Sequence, residues 1–302
     1  VALLTEARFA AAVAPEGNTF LSNILLDDRL LADALRARGL SSVRLDWARP
    51  DIDWSRFRCT MFRTTWNYFK RFPEFTRWLT RVESQTRVLN TPSIVRWNWD
   101  KHYLADLEAR GVPVVPSRFV ERGETRSLPD LLDATGWTDA IVKPCVSGGA
   151  YHTYRIHRGN AAEIDAAVRG LLDSGSLMLQ PFQEDILRTG EDTLMVLDGQ
   201  YTHAVRKKVK AGDFRVQDDF GGTVHPLEPT PEQRELAERA MAACFSAEAR
   251  RPAPVYGRVD MVRDNDGRLA IMELELIEPE LWLRYHPPAA EVLADAIARE
   301  VS

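Results

Sequence analysis

Apolar residues recur along this chain in two alternating rhythms. A short apolar run at residues 1–4 precedes Leu21, Ile24, Leu25, Leu31 and Leu35 at helical spacing, with Gly39 as the stop. Residues 43–47 and 59–65 read as strands, 72–85 as a helix and 87–90 as a strand. This βαβ rhythm predicts a parallel sheet with covering helices, ending at Thr91-Pro92.

The middle of the chain changes character. Residues 100–110 read as a helix stopped by Gly111, 114–120 as a strand and 127–134 as a short helix. Residues 140–143 form a strand, and a glycine turn at Ser147-Gly148-Gly149-Ala150 leads into a strand over 151–156. A helix over 161–174 and a strand over 177–180 follow. Further on, strands over 193–197 and 201–208 flank Asp198-Gly199, a two-residue hairpin signal. A polar loop spans 211–223, and Thr230-Pro231-Glu232-Gln233 carries a capping box that opens a helix reaching about residue 249. A second hairpin over 255–275 and a helix over 288–301 complete the pattern. The expected organisation is α/β over 1–91, followed by two α+β lobes, 92–182 and 183–302.

Composition narrows the function classes. The chain has 302 residues, 45% hydrophobic and 27% charged, ordinary values for a water-soluble protein of several lobes. A net charge of −5 argues against a nucleic-acid partner, which needs a basic face. Apolar runs fall short of a membrane span, and no leader pattern stands at the start. The three cysteines, Cys59, Cys145 and Cys244, are too few and too scattered for a disulfide framework or a zinc pattern, and are expected as small buried hydrophobes. A cytoplasmic location is the expectation.

The second hairpin is the most informative segment. A type I′ turn at Asp266-Gly267 would pair Asn265 with Arg268, and counting outward sets Asp260 opposite Glu273 and Arg258 opposite Glu275. These four would share one face, with Val259, Met261, Met272, Leu274 and Leu276 on the other. Carboxylates directly opposed across a pair, roughly 5 Å apart, repel. The hairpin alone leaves two readings open: a Mg²⁺ site, which takes oxygen ligands, or a solvated charged face with one Arg–Glu pair.

Lys143 ends a strand four residues before the turn at Ser147, Gly148 and Gly149. Strand, lysine, glycine turn, strand is an order suited to a flap over a triphosphate, although an ordinary β-hairpin fits as well. The Walker A pattern is absent. Lys101 sits where a helix begins, and a cation there calls for an anion nearby.

These residues, in this order, resemble the ATP-grasp superfamily over roughly residues 92–302. Lys101 and Ile141-Val142-Lys143-Pro144 resemble its two nucleotide lysines, and Leu179-Gln180-Pro181-Phe182 its adenine hinge. Gly190-Glu191 resembles the ribose-binding acidic position. Phe214-Arg215-Val216-Gln217 with Gly221-Gly222 resembles the arginine loop near the phosphate. Arg258-Val259-Asp260 and Glu273-Leu274-Glu275 resemble the metal motifs, with Glu275 where the family usually has asparagine. The run from Glu273 to Glu280 is similar to glutathione-synthetase-like ligases of bacterial secondary metabolism, and among them to the cyclo-ligases that close O-ureido-D-serine to D-cycloserine.

The resemblance implies an ATP-grasp fold behind an N-terminal Rossmann-like lobe. It implies an ADP-forming carbon–nitrogen ligase that uses ATP and two Mg²⁺ ions, with Mn²⁺ as a substitute, on an amino-acid-like small molecule. Arg215 and Arg258 would stabilise the transferring phosphoryl group. Lys101, Lys143, Ser147, Gly148, Gly149, Gln180, Phe182 and Glu191 would hold the nucleotide. Asp260, Glu273 and Glu275 would hold metal, Glu275 alternatively a substrate ammonium. The rival readings are a two-substrate carboxylate–amine ligase, a non-catalytic nucleotide-binding protein and a metal-dependent phosphohydrolase. No nucleic-acid or membrane partner is expected, and a homo-oligomer is compatible. Arg63, Thr65 and Asn67, at a strand end of the first lobe, are candidate substrate contacts or loop packing around Trp66 and Tyr68. His203, Trp97 and Trp99 are expected to be structural.

Overall fold

A computed structural model describes residues 1–210, 212–215, 221–246 and 252–302. The first sheet contains β1 (Ala2–Thr5), β2 (Val43–Asp46), β3 (Cys59–Thr64) and β4 (Arg87–Leu89). It is wholly parallel, in the order β2-β1-β3-β4, as the alternating rhythm predicts. Its crossovers include α1 (Thr19–Ala37), which ends before Gly39 at φ +73°, and α2 (Phe72–Val82). One face of the sheet carries an aromatic core of Trp47, Trp54, Phe62, Phe75 and Trp78. Burying a ring of that size withdraws about 150–250 Å², worth at most roughly 4–6 kcal/mol each. This sheet therefore has a core of its own.

Two helices join the sheets: α3 (Pro92–Asn98), which the sequence pattern did not predict, and α4 (Tyr103–Ala109), which falls within the helix expected over 100–110. Pro92 occupies the first turn of α3, where the missing N–H costs nothing. It starts a helix at the position where the boundary was expected. The second sheet is antiparallel, order β5-β8-β6-β7, built from β5 (Arg118–Val120), β6 (Asp139–Pro144), β7 (Tyr154–His157) and β8 (Leu177–Pro181). Helices α5 (Leu128–Thr135) and α6 (Ala161–Val168) cover it, the latter continuing as a 3₁₀ turn over Arg169–Asp173. The strand expected over 151–156 begins only at Tyr154, because Gly149, Ala150 and His152 take left-handed φ values of 56°, 57° and 48°.

After a single turn, α7 (Asp185–Arg188), the third sheet runs β11-β10-β9-β12-β13, all antiparallel. Its strands are β9 (Glu191–Leu197), β10 (Gln200–Lys208), β11 (Thr223–Leu227), β12 (Tyr256–Arg263) and β13 (Leu269–Glu275). The β9–β10 turn has φ +54° at Asp198 and +76° at Gly199, the two positive values a type I′ turn requires. Helix α8 (Pro231–Ala242) opens with the expected reciprocal cap between Thr230 and Gln233, but ends seven residues earlier than expected. Residue 249 itself lies outside the described residues, as do Val216 and Gln217 of the arginine loop.

Both faces of the third sheet are buried. Leu194, Val196, Val259 and Leu274 pack against α4 and α8. Met195 and Leu197 pack with α1 and with α9 (Pro288–Val301), which also touches the first sheet. Among the described residues no helix is long and apolar enough to cross a membrane.

Candidate active site

A cavity of about 510 Å³ opens where the three sheets meet. Its floor is the β12–β13 hairpin. Asp260 stands opposite Glu273 and Arg258 opposite Glu275, the register expected from sequence. The route to that register differs. Arg263 pairs with Leu269, so residues 264–268 form a five-residue loop in which the Asp264 carboxylate accepts the N–H groups of Asp266 (2.9 Å) and Arg268 (2.8 Å). Only Gly267 has positive φ there, so the expected type I′ turn is corrected. A β-bulge between the Asp260 and Met261 pairs then restores the count. The bulge also moves Met272 from the expected core face to the cavity wall, beside Glu273, while Ile271 takes its place in the core.

The outer edge of β13 is held by side chains standing in for a further strand. Asn98 receives the Leu276 N–H (2.8 Å) and donates to the Leu274 carbonyl (2.8 Å). The Tyr103 hydroxyl accepts the Leu274 N–H at 2.9 Å, and Asn90 donates to the Leu276 carbonyl at 2.9 Å. All three are buried, so the strand bearing Glu273 and Glu275 cannot shift without leaving buried polar groups unpaired.

Four cations interleave with four carboxylates. Lys207, on β10, bonds to Asp260 at 3.0 Å and to Glu191. Arg258 grips Asp260 through two bonds of 3.0 and 2.9 Å and also reaches Glu275. The Lys101 ammonium lies 3.1 Å from Glu273, the anion its position called for, and donates to the Ser147 carbonyl at 2.8 Å. Burial pushes the Asp260 carboxyl up, but Arg258 and Lys207 outweigh it and hold the group well below the usual carboxylate range. Burial likewise opposes ionisation of Glu273, and Lys101 with Lys143 brings it down to about 2. Glu275 goes the other way: burial, reinforced by Glu273 and Asp260 against Arg258, pushes it up to about 7. Burial also lowers the Lys143 ammonium.

Carboxylate oxygens of Asp260, Glu273 and Glu275 lie within 4.8 Å of one another. An all-oxygen donor set this compact fits a hard divalent cation.

The remaining sequence-derived positions fall around this floor. Ser147, Gly148 and Gly149 line the cavity beneath the first sheet's Phe69 and Lys70. A Cβ on Gly148 would stand 3.1 Å from the Phe69 ring, and the Tyr151 ring lies 5.5 Å from Phe69. The flap is therefore packed on the first sheet's loops. Gln180 and Phe182 line the opposite end with Val115, Ile141 and Ile186. The Gln180 amide donates to the Ser117 hydroxyl at 2.9 Å. The Phe182 N–H donates to Asp139 and its carbonyl accepts from Asn265, which leaves its ring as the wall. Glu191 faces the cavity beside Gly190, where a Cβ would meet the Lys207 carbonyl at 2.3 Å and φ is +104°, so only glycine lets β9 and β10 approach there. Arg215 also lines the cavity, hydrogen-bonded to Asp213 at 2.7 Å.

Arg63, Thr65 and Asn67 do not line the cavity, which corrects that expectation. Strand β3 is buried on both faces, so Arg63 turns to Asp28 of α1 (2.8 Å) and Thr65 is enclosed. Asn67 accepts from the Trp47 indole at 2.8 Å. Trp66, Phe69 and Lys70, beside them in sequence, face the cavity instead. Lys207, Glu278 and Trp282 were also missed. No motif marks Lys207, and only the alternation along β10 could have placed it with Glu191.

Trp97 and Trp99 pack on two separate cores, and the three cysteines are buried and form no disulfide. His203 is buried away from the cavity, its Nε2 2.8 Å from the Leu281 carbonyl. Burial lowers its pKa to about 4. The unfolded chain binds that proton from about pH 6.5 downward and the native state does not, so stability is lost as pH falls from 6.5 toward 4. The expected loss is about 3 kcal/mol. Urea unfolding at pH 7 and pH 4.5 would read it, and His203→Phe should flatten this part of the profile.

Comparison with known proteins agrees with this geometry. The family profile described as the N-terminal domain of D-cycloserine synthetase DcsG matches residues 1–90. The cycloserine biosynthesis protein DcsG of Streptomyces lavendulae is 35% identical over 283 residues, covering 90% of this chain and 92% of that protein. The crystal structure of D-cycloserine synthetase DcsG superposes with a TM-score of 0.85 at 33% identity, over 100% of this chain and 99% of that one. The fold alone extends to the ATP-grasp ligase PsnB complexed with minimal precursor, Mg and ADP. There the TM-score is 0.59 at 18% identity, over 99% of this chain and 97% of that one.

Proposed function

This chain belongs to the DcsG family of ATP-grasp ligases, and from that premise we propose that it closes O-ureido-D-serine to D-cycloserine at the cost of one ATP. The observation that carries the reading is the single cavity in which Lys101, Lys143 and the glycine flap face Asp260, Glu273 and Glu275. Lys101 and Lys143 bind phosphate oxygens, the Gln180–Phe182 hinge and the apolar wall beside it take adenine, and Glu191 takes the ribose hydroxyls. Asp260, Glu273 and Glu275 would hold Mg²⁺, which would supply positive charge against the phosphates. The donor set has charge for two such ions, and Mn²⁺ shares the oxygen preference.

The substrate carboxylate attacks the γ-phosphorus, and ADP leaves. Arg258 and Arg215 meet the negative charge on the transferring group, the main catalytic demand in phosphoryl transfer. The ureido nitrogen bound to oxygen then attacks the acyl carbon of the same molecule. Phosphate departs with one carboxylate oxygen, and water removes the ureido carbonyl as CO₂ and ammonia. Holding both reacting groups in one molecule makes positioning sufficient for the second step. The flap against Phe69 keeps water from the acyl phosphate.

The test is ADP release with ATP, Mg²⁺ and O-ureido-D-serine and no added amine. Turnover on that compound, with little on its L-isomer, is expected. Turnover that begins only when a second amine is supplied would overturn the cyclo-ligase reading.

A further inference from the structure

The end of β13 and the segment after it bring three carboxylates to the cavity: Glu275, Glu278 and Glu280. Two of them have cations. Glu275 is bound by Arg258. Glu280 is bound at 2.7 Å by Arg284, which is itself anchored to Asp27 of α1 at 2.9 Å. Glu278 differs. Its backbone carbonyl accepts the Trp66 indole N–H at 2.9 Å, which fixes the residue against the first sheet. Among the described residues no cation pairs with its carboxylate, whose hydrogen bond is to its own backbone N–H.

The surroundings favour a cation. Trp66 and Phe20, with ring centroids 6.0 Å apart, line the same cavity. Aromatic faces attract ammonium groups, increasingly so when both are desolvated. Burial, then the charge on Glu275, pushes the Glu278 carboxyl well above its usual value. A bound cation would reverse that shift.

We propose that Glu278 is the specificity-determining residue that binds the α-ammonium of the amino-acid substrate, with Trp66 and Phe20 as the wall beside it. The proposal rests on the ligase reading above and extends it to substrate choice. In that reaction the carboxylate becomes an acyl phosphate, whose charge departs with the phosphate on ring closure, whereas the α-ammonium does not react. An ion pair to the ammonium is therefore the one charged contact that persists from substrate to product. Fixing ammonium and carboxylate together leaves the side chain one direction, so the same pair discriminates D from L.

The test compares two ligands on two proteins. The ligands are O-ureido-D-serine and its analogue lacking the amino group, 3-(ureidooxy)propanoate. The proteins are the wild type and Glu278→Gln, each with Mg²⁺ and a non-hydrolysable ATP analogue, read by calorimetry. The wild type should bind the amine-bearing ligand about 30-fold more tightly than the analogue, the scale of a lost charge-assisted hydrogen bond. Glu278→Gln should bind both alike, with its affinity for the ATP analogue unchanged. The anchor is overturned if the wild type does not prefer the amine-bearing ligand, or if Glu278→Gln keeps the preference. That first comparison needs no variant to fold. Wild-type turnover, measured in parallel, separates the two ideas. Turnover without the binding preference sinks the anchor alone, and the preference without turnover sinks the ligase reading alone.

Discussion

Asp260→Asn is expected to lower substrate-dependent ADP release by roughly 10³-fold, the scale on which removal of a group stabilising transition-state charge is felt. The substitution preserves shape and removes one charge. Asp260 is the most deeply buried of the three clustered carboxylates, at 2% exposure, and Arg258 and Lys207 both converge on it. Those two cations hold it ionised without any metal. In the proposed site it would serve as a preformed oxygen ligand, and an amide in its place would leave the phosphate charge less compensated. Glu273→Gln should act in the same direction, because Lys101 and Lys143 keep that carboxylate charged as well. Glu275→Gln should cost less, since Glu275 is the member pushed toward neutrality. Steady-state ADP release in each variant, with circular dichroism to verify the fold, is the measurement. Activity of Asp260→Asn within tenfold of wild type would remove Asp260 from the site chemistry.

Lys207→Met is expected to destabilise the protein by about 3–5 kcal/mol at neutral pH, whatever it does to activity. Lys207 is the sole cation bonded to Glu191 among the described residues and shares Asp260 with Arg258. Its side chain is 8% exposed, and those of its partners are 9% and 2%. Methionine of similar length fills the space but leaves the buried Glu191 carboxylate without a cation, while Arg258 still holds Asp260. Burial already raises the Glu191 carboxyl with Lys207 present, and without that cation it would rise further, so the variant loses stability as pH rises and recovers part of it on acidification. Urea unfolding at pH 7.5 and pH 5.5 should show the gap to wild type narrowing at the lower pH. A gap below about 1 kcal/mol at pH 7.5 would mean that water, not Lys207, solvates Glu191.

Local devices were the most readable part of the fold. The Thr230–Gln233 cap and the Asp198-Gly199 turn depend on a few adjacent residues, and both occur as expected. The parallel first sheet followed from the alternation of strands and helices. The hairpin that carries the carboxylates was read correctly in outcome through two compensating differences, a longer loop and a bulge. The loop length is set by the Asp264 side chain competing for backbone N–H groups. The bulge is set by long-range contacts, including the bridge from Val114 to Ile271, which local spacing does not encode. The same distinction governs the site. Residues carried by a recognisable segment could be named from sequence. Lys207, Trp66 and Glu278 reach the cavity through sheet packing and loop direction. For Arg63, Thr65 and Asn67 the packing alternative fits: Arg63 lies on β3, buried on both faces, Thr65 is enclosed and Asn67 bonds to Trp47.

The central claim is that a carboxylate is activated as an acyl phosphate. O-ureido-D-serine labelled with ¹⁸O in both carboxylate oxygens tests it most directly, with the phosphate released during turnover analysed by mass spectrometry. The account predicts one ¹⁸O in each phosphate, carried over when the acyl carbon–oxygen bond breaks. Unlabelled phosphate accompanying D-cycloserine formation would contradict it, because ATP would then have been cleaved without passing its phosphoryl group to the substrate.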